Sequence, residues 1–62
     1  MIELLRKYIE RKLELSTIVG PVNGKLKSII HDRILVLDSN YPGDHEIVYV
    51  EVDSIKAFNV LK

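Results

Sequence analysis

"GKLKSIIHDRILVLD", residues 24 to 38, places two apolar runs, Ile29-Ile30 and Ile34 to Leu37, on either side of the polar trio His31-Asp32-Arg33. Runs rich in isoleucine, leucine and valine, separated by a short polar break, are the signal of a β-hairpin. The reading therefore places a turn at His31-Asp32, with a second strand before it and a third strand from Arg33 to Asp38. Ile34-Leu35-Val36-Leu37 is apolar at every position, which predicts that both faces of the third strand are covered. Gly24 lies inside the second strand, Val22 to Ile30, where an interior glycine marks a sharp bend or a close backbone approach.

The same period-two pattern extends outward from the hairpin. Upstream, Leu13, Leu15, Thr17 and Val19 alternate with Glu14, Ser16 and Ile18, which predicts a first strand. Two places compete for its turn: Gly20-Pro21 breaks the run, and Asn23-Gly24 is a strong two-residue hairpin signal. Downstream, Ser39 to Asp44 is dense in turn formers and reads as the longest loop. His45 to Val52 is a fourth strand, with Val48, Val50 and Val52 on one face and Ile47, Tyr49 and Glu51 on the other. A tight turn at Asp53-Ser54-Ile55 leads to a short fifth strand, Lys56 to Leu61. Before all of these, Met1 to Leu13 reads as an amphipathic helix, with Ile2, Leu5, Tyr8 and Ile9 on one half of the wheel and Glu3, Arg6, Lys7 and Glu10 on the other.

The expected fold is mostly β in one domain spanning residues 1–62. The helix occupies 1–13, and a five-stranded, strongly bent antiparallel small barrel occupies 14–62. Closure would remove the sheet edges of so short a chain. A 62-residue domain has a small core, worth roughly 3–5 kcal/mol unless something staples it. The chain has no cysteine, so disulfides and thiolate metal sites are excluded and a cytoplasmic home is expected. Oligomerisation is the remaining staple, and a hydrophobic content of 47% points the same way.

Lysine plus arginine equals aspartate plus glutamate at nine each, giving a net charge of zero. A dedicated nucleic-acid binder usually carries a basic surplus. No apolar run approaches the ~20 residues of a membrane span, and Met1 to Leu15 is too often interrupted by charge for a signal peptide.

In order and spacing the chain resembles the Sm-like superfamily, including Hfq. "VNGKLKSI" followed by "ILVL" is similar to the second and third Sm strands, with Gly24 as the bend glycine. "IVYVEVDSIKAF" is similar to the last two strands around their short turn. The resemblance implies a homo-oligomeric ring of six or seven subunits, the fourth strand of one subunit pairing with the fifth of the next, and single-stranded RNA as a partner. It places Ile47, Tyr49, Phe58 and Val60 near the subunit seam. RNA contact would fall on the turns holding His31, Asp32 and Arg33 and those holding Asp53, Ser54 and Lys56. The family's RNA-binding aspartate and asparagine positions are occupied by Ile30 and Ile34, and its later basic motif by Glu51-Val52-Asp53. The alternative is a protein-interaction or scaffolding barrel that does not bind RNA.

No catalytic, cofactor or metal site is expected. His31-Asp32 and Asp44-His45 are expected about 20 Å apart across the third strand, too far to share an ion within one subunit. Ser16, Ser28, Ser39 and Ser54 have no histidine and acid partner by sequence. Glu51 and Asp53 form the only close carboxylate pair, on one strand face about 7 Å apart. Lys25, Lys27, Arg33, Lys56 and Lys62 are the candidates for a positive stripe, and Tyr41, Tyr49 and Phe58 for stacking on bases.

Overall fold

A computed structural model describes residues 1–41 and 44–61. It shows a short helix, α1 (Ile2–Arg6), and five strands: β1 (Lys12–Thr17), β2 (Gly20–Ile30), β3 (Ile34–Tyr41), β4 (Asp44–Glu51) and β5 (Ile55–Val60). A single 3-10 turn, Val52–Ser54, connects β4 to β5. The strands form one antiparallel sheet in the order β4-β3-β2-β1-β5. The expected barrel is not closed. β4 and β5 end the sheet, and each pairs along one side only.

β2 is the pivot. Its first half, Gly20 to Lys25, pairs with β1, and its second half, Lys25 to Ile30, pairs with β3. The hand-over falls beside Gly24, which lacks the Cβ that would collide with the backbone of Asp38. A register shift between Leu26 and Ser28 adds further bend to β2. Gly24 is thus a glycine of close backbone approach, as its place inside an apolar strand suggests.

The bend gathers one face of the sheet into a core. Leu13 and Leu15 of β1, Leu26 of β2 and Leu35 and Leu37 of β3 are fully buried, joined by Val50 and Ile55. Leu5 of α1 is fully buried in the same cluster. The two faces of β4 divide as expected: Val48 and Val50 turn inward, and Ile47 and Tyr49 are exposed. Ile34 and Val36 of β3 face outward and are only half-buried, so the outer side of this strand is not covered as predicted. Asp53 lies in the 3-10 turn and not on a strand face with Glu51.

Several boundaries move. The helix ends at Arg6, not Leu13. Glu10 adopts a φ of 74°, its N–H donates to the Leu26 carbonyl at 2.7 Å, and the Leu26 N–H donates to the Arg11 carbonyl at 3.0 Å. The segment is thus captured by β2, and Leu13 belongs to the alternating pattern that buries Leu13, Leu15 and Thr17. A helix of fewer than ~12 residues has little stability of its own to resist this.

The first hairpin turn is at Ile18-Val19, at neither proposed place. Thr17 pairs with Gly20, and Pro21 pairs with Ser16 inside the ladder. The Thr17 hydroxyl donates to the Gly20 carbonyl at 2.7 Å and accepts the Val19 N–H at 3.2 Å. Ser39, Asn40 and Tyr41 extend β3 and pair with Glu46, His45 and Asp44. Ser39 to Tyr41 and Asp44, expected in a loop, thus belong to strands, and Pro42 and Gly43 lie outside the described residues.

Candidate interaction surfaces

The β2–β3 turn carries three of the residues expected to touch RNA. His31 and Asp32 both have left-handed φ, 52° and 55°, and the Arg33 N–H closes the turn on the Ile30 carbonyl at 3.0 Å. The Arg33 carbonyl then accepts the Val52 N–H at 2.8 Å, which docks the turn against the 3-10 segment. A cleft of about 50 Å³ results, lined by Asp32, Arg33, Glu51, Val52 and Asp53.

The structure therefore brings together Asp32, Arg33 and Asp53 from the predicted set, and adds Glu51. Three acidic residues and one arginine line the cleft. Arg6 of α1 forms an ion pair with Asp32 from outside. The Ser54 hydroxyl is committed to the Glu51 carbonyl at 2.7 Å, and Ser54 lines a different groove. His31 and Lys56 are exposed and line neither cleft. A phosphate approaching this corner meets net negative charge.

The predicted cationic stripe is offset only in part, by one carboxylate between two of its lysines. Lys25 and Lys27 converge on the Glu10 carboxylate at 3.0 and 3.4 Å. Hydrogen bonds and charge from Lys25, then from Lys27, hold the Glu10 pKa below its ordinary value of 4.5. Sequence spacing did not reveal this pairing, because the reversal at Glu10 that points its side chain at β2 has no signature of its own.

His45 meets Asp38 across the β3–β4 pair: its Nδ1 lies 3.0 Å from Asp38 Oδ2. Asp38 is half-buried, and its Oδ1 has no partner among the described residues. The side chains of Tyr41 and Asp44 lie outside the described residues. Among the described residues no three histidine, aspartate or glutamate side chains cluster to hold a metal ion. Nor is any helix among them long and apolar enough to cross a membrane.

Of the four expected seam residues, two and two separate. Ile47 is 48% exposed and Tyr49 is 65% exposed, on the outer face of β4. Phe58 and Val60 of β5 point the other way and pack partly buried against the core. Phe58 also meets Tyr8 edge to face, ring centroids 6.1 Å apart. This contact ties the segment after α1 to β5.

An apolar groove of about 240 Å³ runs between the inner side of β4 and the β1–β2 turn, floored by Val22, Val48 and Val50. Its rim is the turn itself, where Ile18 is 68% and Val19 87% exposed. This tip was missed because the turn was placed elsewhere. Comparison with protein-family models, with curated proteins and with solved structures gives no match.

Proposed function

We propose that this chain is a non-catalytic assembly module that works by pairing the free edges of its sheet with further copies of itself. One observation carries the reading: the sheet stays open, β4 and β5 are unpaired on their outer sides, and Ile47 and Tyr49 stand exposed beside one of those edges. An unpaired strand flanked by large apolar side chains is a template for another strand. Pairing satisfies its backbone groups and hides the side chains together.

The likeness to Sm-like proteins supports this reading, since these two edges are the strands that such proteins join between subunits. The scaffolding branch is favoured over RNA binding by charge. Lys25, Lys27 and Arg6 are already paired with carboxylates of the same chain, and Arg33 shares its cleft with three acids.

Two measurements test the proposal together. Light scattering at micromolar concentration is expected to give a mass above that of one chain. Fluorescence titration with short U-rich and A-rich single-stranded RNAs, at two salt concentrations, is expected to show no salt-dependent binding. A stable folded monomer overturns the assembly reading. Salt-dependent binding at low micromolar RNA replaces the scaffold with an RNA-binding assembly.

A further inference from the structure

Resting on the edge-pairing reading above, we infer which edge meets which: β4 pairs antiparallel with β4 of a second copy, about a two-fold axis passing through Val48. The argument comes from the order of side chains on the outer face of this strand. His45, Ile47, Tyr49 and Glu51 follow one another there, shown by their cross-strand partners Asn40, Asp38, Val36 and Ile34.

Turned about Val48, this row is complementary to itself. His45 falls opposite Glu51 of the second copy, and Ile47 falls opposite Tyr49. On the other face Val48 meets Val48. Directly opposed residues of an antiparallel pair share a face and approach closely, so an imidazole meets a carboxylate and an aliphatic side chain meets an aromatic one. His45 already holds Asp38 through Nδ1, which leaves Nε2 for the second carboxylate.

The neighbouring registers are worse. A slip of one residue sets the outer face of one strand against the inner face of the other. Centring on Tyr49 places Ile47 opposite Glu51. Centring on Ile47 places His45 opposite Tyr49 and leaves Glu51 without a cation. The alternative partner strand, β5, offers Ala57 and Asn59 on its outer face, paired there with Ser16 and Glu14. Neither forms an apolar surface to match Ile47 and Tyr49. Two-fold pairing is isologous, so it closes at two copies and joins two five-stranded sheets into one.

The test uses the whole chain, in which Val48→Cys introduces the only thiol. Light scattering of the unaltered protein is expected to give the mass of two chains. Val48→Cys is expected to form a disulfide-linked dimer under mild oxidation, because the two thiols would face each other across the axis. His45→Glu sets like charges opposite at two places. Because it also puts a carboxylate beside Asp38, its fold is checked by circular dichroism and its effect is read against the double variant that keeps this change. It is expected to weaken the dimer roughly tenfold or more. His45→Glu combined with Glu51→Lys is expected to restore it to within a few-fold of the unaltered protein.

A mass of six or seven chains, with Val48→Cys not linking to itself, overturns the two-fold register while leaving edge assembly standing. A dimer that ignores both His45→Glu and Val48→Cys does the same. A monomer at all concentrations removes both.

Discussion

A Cβ built on Gly24 would stand 2.9 Å from the carbonyl oxygen of Asp38, with the Leu37 Cβ only 3.3 Å away. The obstacle is backbone, so it cannot swing aside as a flexible side chain would. Gly24→Ala must therefore push β2 away from β3 at the point where β2 passes from one partner strand to the other. The expected loss is roughly 1–3 kcal/mol, the range for overpacking a tight site. Urea unfolding followed by circular dichroism measures it. An unchanged midpoint would show that the two strands separate freely at the bend.

The core is built from a few leucines, so each matters more than it would in a larger domain. Leu37 is fully buried between β2 and β4, and Leu37→Ala is expected to cost about 2–5 kcal/mol. With roughly 3–5 kcal/mol available to a single chain of this size, that loss removes a large share of the stability and should lower the urea midpoint steeply. Leu4→Ala is the control. Leu4 is exposed on α1, and its loss should move the urea midpoint by no more than about 0.5 kcal/mol equivalent. Equal losses at the two positions would contradict the assignment of inner and outer faces.

The strands were legible because alternation is a local property. Leu13, Leu15 and Thr17 lie inside, and Val48 and Val50 are separated from Ile47 and Tyr49, as a period of two requires. Gly24 was legible for a similar reason, since an interior glycine in an apolar strand has few other uses. A helix to Leu13 is what the local pattern suggests, because Tyr8, Ile9 and Leu13 fit a period of 3.6, while the bonds between Glu10, Arg11 and Leu26 that end it are long-range. Ser39, Asn40 and Tyr41 read locally as turn residues, yet β4 holds them in a ladder. Barrel closure depends on how far the whole sheet bends, which no local pattern records. The same limit hid the site chemistry. Asp38 finds His45 across β3 and β4 through register, and Glu10 finds Lys25 and Lys27 through the chain reversal before β1.

The Glu10 cluster makes acid stability a readable quantity. Its folded-state pKa lies below the ordinary 4.5, so the contribution of these ion pairs is complete above that value. It fades as pH falls through the lowered pKa. Glu10→Gln removes the group that titrates, so the variant should lose less stability than the unaltered protein between pH 7 and pH 3. The difference should narrow in high salt, because the groups are exposed and screened. Urea midpoints at both pH values and two ionic strengths decide it. Identical acid slopes for the two proteins would mean that the lysines do not hold Glu10 in solution.

Gly20 differs from Gly24 in the cause of its requirement. Nothing lies within 4 Å of a Cβ built there, yet its φ is +122°. Ile18 and Val19 have negative φ, so the β1–β2 turn takes β-branched residues at its tip and leaves the positive angle to Gly20. The Thr17 hydroxyl fixes this arrangement by bridging the Gly20 carbonyl and the Val19 N–H. Space and angle can be separated by chemical synthesis. L-alanine at position 20 should cost roughly 1–3 kcal/mol through backbone strain. D-alanine accepts positive φ and has room, so it should match or exceed the natural chain, by about 0.4–1 kcal/mol, through a less flexible unfolded state. Thermal unfolding of the three synthetic chains measures both differences. Equal behaviour of the L and D forms would show that the turn readjusts and that the angle at Gly20 is not what requires a glycine there.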